Sequence, residues 1–283
     1  MNDFLVTISC VSYNHQKYLK DALDSFLSQK TKFPFEIIIH DDASTDSTKE
    51  IIIEYQNKYK DIIFPIFQDE NQFSKGRRAI SANFIFPKSR GKYIAFCDGD
   101  DYWSDPYKLQ KQVDLMEINN QCSLSFHNTK VENQDSHIEP FLFCDSDTKT
   151  IYKTEDIINK NYMASSSVMI RKENIDKLPI WFYQIYNADW GIQLLSSIFG
   201  EIHYIDEVMS IYRKTSSGFS GSLGKNIQFI NNERISLLEK FNNFTNGKYN
   251  DQINNKIIDL NLEIKNYQLS NKIRFLKILN PVK

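Results

Sequence analysis

The chain of 283 residues carries a formal net charge of -2 and is 41% hydrophobic and 13% aromatic. This composition supports a buried core and excludes a disordered chain, and at roughly 100–200 residues per domain it fits one large domain or one domain with an appendage. The charge balance gives no global field to recruit nucleic acid.

None of the four cysteines, Cys10, Cys97, Cys122 and Cys144, forms a C-x-x-C pair. Cys10 and Cys97 fall in apolar runs, where a thiol acts as a small hydrophobe, so a reducing, cytoplasmic setting is expected. Met1-Asn2-Asp3-Phe4 lacks the charged and apolar regions of a signal peptide, so none is expected. No apolar run reaches the length of about 18 residues that a spanning helix needs.

Residues 4–11 read as a buried strand. Residues 16–29 switch to helical period, with Tyr18, Leu19, Ala22, Leu23, Phe26 and Leu27 on one face. A second strand is predicted at 35–40. Ser44-Thr45-Asp46-Ser47 then supplies capping chemistry for a helix to about Tyr59. A third strand at 62–67 leads through a polar loop to a helix at 80–86, stopped by Pro87. Gly91 precedes a fourth strand at 93–97, and Pro106 opens a helix reaching about Asn119. This alternation predicts an α/β fold with a mostly parallel sheet, in which ligands bind beyond the carboxyl ends of the strands. Those ends carry Ser12-Tyr13-Asn14, Asp41-Asp42 and Asp98-Gly99-Asp100-Asp101, so three polar clusters should converge in one crevice.

Beyond Asn120 strands are predicted at 122–126 and 166–170, a helix at 187–199, and two short strands within 202–212. Residues 216–224, rich in Ser and Gly, read as a flexible loop. The rest reads as helical, with Ile253, Ile257, Leu260, Ile264 and Tyr267 forming a face for packing. From 261 to 283 lysines interleave with apolar side chains, among them Phe275, Leu276, Ile278 and Leu279. This pattern suits either a packed helix, on this domain or a second copy, or an amphipathic helix on the inner face of the cell membrane.

Carboxylates crowded as in Asp98-Gly99-Asp100-Asp101 repel one another unless a cation neutralises them. Hard cations such as Mg²⁺ or Mn²⁺ suit such oxygen ligands and often bind phosphates as well. The competing reading is a solvated acidic turn before the helix at Pro106. At Asp41-Asp42 two carboxylates exceed what helix capping requires. One could accept a hydrogen bond from a nucleobase, and Tyr13 at the neighbouring strand end could stack on that base. Taken alone, Tyr13 reads as a packed aromatic.

Three segments, CVSYNHQKYLKDALDSFLSQ, EIIIHDDASTDST and GKYIAFCDGDDYWSDPYKLQKQ, occur in register. In order and spacing they resemble the inverting family-two glycosyltransferases of GT-A fold, of the bacterial type that builds surface polysaccharides. The resemblance covers residues 4 to about 215 and is strongest before 120. It implies a glycosyltransferase domain over 1–221, with a nucleotide-binding half of about 1–120 and an acceptor half of about 121–221, and a helical extension over 222–283. It also implies a nucleotide-sugar site, UDP-type, made by Val11, Tyr13, Asp42, Arg77, Asp98 and Gly99, with Val11, Tyr13 and Asp42 at the base, Asp98 near the ribose and Arg77 near the diphosphate. Asp100 or Asp101 would hold the metal, Mn²⁺ or Mg²⁺.

The acceptor would be a carbohydrate or lipid-linked hydroxyl. Asp189, in Asn187-Ala188-Asp189-Trp190, matches the position of the relatives' catalytic base, with Trp190 and Arg213 on the acceptor or diphosphate side. Helix capping is the alternative role for Asp189. Glu207 is a lesser base candidate, and Thr215 stands where relatives carry a histidine, which puts a histidine metal ligand in doubt. His127 and His203 are expected to be structural. Two other functions share parts of this pattern. A nucleotidyltransferase would carry a glycine-rich loop where this chain reads VSYNHQ, and a non-catalytic nucleotide-sugar-binding protein would not need Asp189.

Overall fold

The computed structural model describes residues 4–135, 138–144, 148–215 and 226–279. Strands β1 (Val6–Ser12), β2 (Phe35–Asp41), β3 (Ile63–Phe67) and β4 (Tyr93–Phe96) run parallel in the order β3-β2-β1-β4. Helices α1 (Leu19–Leu27) and α2 (Thr48–Lys58) connect the first three of these strands. β1 and β2 are buried on both faces, as strands covered by helices on each side must be, which is why they read as continuous apolar runs. The predicted face of α1 is the buried one, through Leu19, Ala22, Leu23 and Phe26.

The helix expected at 80–86 is instead two short turns, a wide π-type turn Ser81–Ile85 and a 3₁₀ turn Phe86–Lys88. Pro87 lacks an N–H and cannot continue a regular helix.

After β4 come β5 (Tyr102–Trp103), α3 (Lys108–Ile118) and a long β6 (Cys122–Asn133), then β7 (Phe141–Leu142), β8 (Ile151–Tyr152), α4 (Thr154–Asn159) and β9 (Met169–Arg171). The chain closes with α5 (Ala188–Phe199), β10 (Glu201–Lys214), α6 (Ile227–Phe244) and α7 (Asn250–Leu279). The sheet continues from β4 through β9, β6 and β10 to β5, with β9 antiparallel to both neighbours and β6 parallel to β10. The fold is therefore α/β with a mostly parallel sheet. β10 is one strand of 14 residues, where two short ones were predicted. Its register against β6 shifts between Ile205 and Val208, and the exposed Asp206 and Glu207 lie in that bulge.

Two apolar clusters cover the two faces of the sheet. Alternate residues of β4 show this: Tyr93 and Ala95 enter one cluster with α1 and α3, while Ile94 and Phe96 enter the other. The second cluster also takes in α4, α5 and the C-terminal helices. Ile253 and Leu260 of α7 are buried in it, Ile257 packs against it and Ile264 is buried as well, so this face of the C-terminal segment is a packed face. The loop at 216–224, the boundary at 221 and the side chains of Phe275 to Leu279 lie outside the described residues. Among the described residues no helix is long and apolar enough to cross a membrane.

Candidate active site

The carboxyl ends of β1, β2 and β4 are joined by backbone hydrogen bonds: Asp42 N–H donates to Ser12 O at 3.0 Å, and Gly99 N–H to Val11 O at 2.9 Å. Parallel register thus brings the three predicted polar clusters together. Gly99 is required by the closeness of this approach. A Cβ there would lie 3.0 Å from both Ser12 Oγ and His15 Nδ1, and 3.1 Å from Leu19 Cδ1. The loops after β1 and β2 are also tied to each other. Asn14, in a left-handed conformation at φ 55°, donates its N–H to Ser44 Oγ at 2.9 Å and accepts from Thr45 N–H at 2.8 Å. The sequence placed Asn14 in a polar strand-end cluster without a role of its own, although its ability to hold a left-handed turn is the signal that marks it.

The two carboxylates after β2 have separate partners. Asp41 is buried and bonded to Ser44, with its carboxyl raised by burial. Asp42 accepts the N–H groups of Gln72 at 2.8 Å and Phe73 at 3.0 Å, and Asn71 Nδ2 donates to Asp42 O at 3.0 Å. Asp42 therefore anchors the loop that follows β3 over the strand ends. Tyr13, beside it, is 43% exposed, an open ring available for stacking. On the same loop Arg77 is exposed. Its neighbour Arg78 stacks on Phe73 and Tyr186, at 4.6 and 5.1 Å, and donates to Phe73 O at 2.8 Å.

The acidic loop also divides its carboxylates. Asp101 is buried and accepts Arg213 N–H at 2.8 Å. Arg213 in turn pairs with Asp21 and lies over the Tyr102 ring at 4.4 Å, so it braces the loop from the protein side. Asp100 faces His15 Nε2 at 3.8 Å. Asp98 opens onto a cavity of about 300 Å³. Burial, then the nearby charge of Asp100, pushes the Asp98 carboxyl up to about 7 and raises that of Asp101 as well.

These shifts mark a loop short of positive charge. Among the described residues no three His, Cys, Asp or Glu side chains stand close enough to enclose a metal ion. Mg²⁺ and Mn²⁺ in phosphate-binding sites often take only one or two protein carboxylates. Asp100 with Asp98 fits that donor set, whereas Asp101 is turned to Arg213.

The cavity is also lined by α5, through Ala188, Asp189, Ile192 and Gln193. Asp189 stands in the first turn of that helix, after the N-cap residue Asn187. It is open to solvent, yet enclosed enough by the cleft that burial raises its carboxyl, partly offset by its own N–H and that of Trp190. Val11, Asp98 and Asp189 all line the cavity, together with Phe96 and Phe182. Trp190 itself is 5% exposed and donates its indole N–H to Ile157 O at 2.9 Å, so it seats α5 in the core. Glu207 pairs with Lys111, away from the cavity lining. His127 is buried, with Nδ1 2.8 Å from Asn128 O, and His203 pairs with Glu201 at 2.8 Å.

Residues 7–218 match the family described as glycosyl transferase family 2. An uncharacterized protein of Mycobacterium tuberculosis is 33% identical over 220 residues, covering 75% of this chain and 60% of that protein's length. The Escherichia coli UDP-Glc:alpha-D-GlcNAc-diphosphoundecaprenol beta-1,3-glucosyltransferase WfgD is 30% identical over 142 residues, 50% of this chain and 52% of its own. The structure of Staphylococcus aureus TarS 1-349 in complex with UDP-GlcNAc superposes with a TM-score of 0.61 at 19% identity, covering 91% of this chain and 80% of that one. At that identity the likeness is one of fold. From the family match and the shared sheet, this chain belongs to glycosyl transferase family 2 and has the GT-A fold.

Proposed function

We propose that the chain transfers a sugar from a nucleoside diphosphate, UDP, to a hydroxyl acceptor with inversion, in the synthesis of bacterial surface polysaccharide or glycolipid. The observation that carries this reading is that Asp98, from the end of a parallel strand, and Asp189, from the first turn of a helix, line one cavity. UDP is supported by the sugar nucleotides named for TarS and the E. coli relative, and the product class by the latter's lipid-diphosphate acceptor.

In this reading Tyr13 and Val11 hold the base and Asp42 contacts it while fixing the loop of Arg77, which meets the diphosphate. Asp98 receives the ribose. A bound Mn²⁺ or Mg²⁺, held by Asp100 with Asp98, would supply Lewis-acid charge at the diphosphate. Asp189 takes the proton of the acceptor hydroxyl as that oxygen attacks the anomeric carbon. The bond from that carbon to the diphosphate breaks on the opposite face, and its electron pair leaves on the phosphate oxygen. A carboxylate with a raised pKa is a stronger base than a fully solvated one.

The test is a panel of UDP-sugars with Mn²⁺ and mixed glycan or lipid acceptors. Release of UDP is the expected result. Release of pyrophosphate, or no turnover despite tight UDP-sugar binding, would overturn the reading.

A further inference from the structure

Asp189 borders a second cavity, of about 260 Å³, on its other side. The lining includes Lys160 after α4, Asn187 before α5, Arg234 from α6 and Lys256 from α7. Three cations thus surround a space whose lining holds a single carboxylate, Asp189. Both Arg234 and Lys256 are partly buried, and among the described residues neither forms an ion pair. Arg234 donates to the neutral Asn231 Oδ1 at 3.3 Å, and its charge helps keep Asp189 ionised. The amide nitrogen of Asn187 is buried with no acceptor. Partly desolvated cations and an orphaned donor around one space carry a cost that a bound anion would remove.

We propose that this pocket binds a phosphate group carried by the acceptor, and that the C-terminal helices complete the acceptor site. The proposal rests on the glycosyltransferase reading, in which Asp189 takes the acceptor's proton. Its position follows from the fold: α4 packs on α7 and α5 on α6, so residues distant in sequence meet beside the base. One feature favours phosphate over a lone carboxylate: the donors around the space outnumber what a single carboxylate engages. Arg234 and Lys256 lie beyond residues 7–218, so two of the pocket's three cations come from a part of this chain outside the family match. Asp189 forms a wall shared by both cavities, so an acceptor anchored by its phosphate in one can present its hydroxyl to the other.

The full chain, in metal-free buffer, is titrated with inorganic phosphate and its thermal unfolding compared with chloride and acetate at equal ionic strength. The expected result is stabilisation specific to phosphate, unchanged by saturating UDP and competed by octyl phosphate. In the double variant Arg234→Gln, Lys256→Gln the apparent affinity should fall about tenfold or more, and in Lys160→Gln, at the exposed end of α4, about threefold. The proposal is overturned if phosphate gives no specific shift, or if both variants retain it. Competition by UDP would place the anion in the donor site and also overturn it, and failure of octyl phosphate to compete would mean a site for free phosphate. Binding of UDP with Mn²⁺ to the wild type is measured in parallel. Its absence would remove the glycosyltransferase reading while leaving the phosphate result intact.

Discussion

On the sheet side of the cleft, Val11, Asp42, Asp98 and Asp100 lie at or just beyond parallel strand ends, and backbone hydrogen bonds between those ends fix their spacing. In the same lining Asp189 rides on the first turn of a helix held by side-chain packing, through Trp190, Leu194 and Leu195. On the proposed reading, the donor wall is therefore set by main-chain register and the acceptor wall by the core. A register allows little adjustment, whereas packing can shift with the side chains that fill it. The two walls should accordingly fail in different ways when altered.

The largest effect is expected at the acceptor wall. Asp189→Asn keeps size but removes the proposed base, and should lower turnover by about 10² or more with UDP affinity retained. Steady-state kinetics beside UDP titration checks this, and near wild-type turnover would place the base elsewhere. On the donor wall, Asp100→Ala should lower turnover by on the order of 10² and abolish the tightening of UDP binding by Mn²⁺. Full wild-type activity in excess chelator would contradict the metal assignment.

The donor wall also carries a pH signature. His40 in β2 is buried against Phe84, with ring centroids 4.8 Å apart, and its Nε2 is 3.1 Å from Gln68 Nε2. Burial lowers its pKa from 6.5 to about 4, an effect partly opposed by Asp42. The folded protein thus holds this imidazole neutral while the unfolded chain protonates it below about 6.5. The associated stability is present above that pH and is lost as pH falls toward 4, by about 3 kcal/mol at most. Urea unfolding across that range should show a shallower decline for His40→Gln than for wild type. An equal decline in both would dismiss the assignment.

A smaller effect is expected for Gly99→Ala, whose new Cβ crowds Ser12, His15 and Leu19. The cost should be about 1–3 kcal/mol in denaturant unfolding, with weaker UDP binding as the strand ends part. Unchanged UDP affinity would show that the register is looser than described.

The same contrast explains what was legible in the sequence. Asp41-Asp42 and Asp98 to Asp101 could be placed because a buried parallel strand is recognisable as an apolar run, and its carboxyl end locates the site. Which carboxylate does what could not be read, because it depends on partners brought by loops and distant strands. The N–H groups of Gln72 and Phe73 take up Asp42, and that of Arg213 takes up Asp101. The bulge that joins two apparent strands into β10 was hidden for a similar reason, since Asp206 and Glu207 break the alternation without ending the strand. Nor does Pro106-Tyr107-Lys108 announce that Lys108 is wholly buried, with its Nζ 3.9 Å from the centre of the Trp103 ring. Arg234 and Lys256 read as ordinary charges of a helical tail, and only tertiary packing brings them beside Asp189.

The central claim is that two carboxylates facing one cavity divide the work, Asp98 for the donor and Asp189 for the acceptor. The most direct test measures UDP affinity in the presence of Mn²⁺ and single-turnover sugar transfer for Asp98→Asn and Asp189→Asn side by side. The account predicts weakened UDP binding in the first, and wild-type UDP binding with transfer slowed by about 10² or more in the second. Equal losses of UDP affinity in the two variants, or unimpaired transfer in Asp189→Asn, would contradict it.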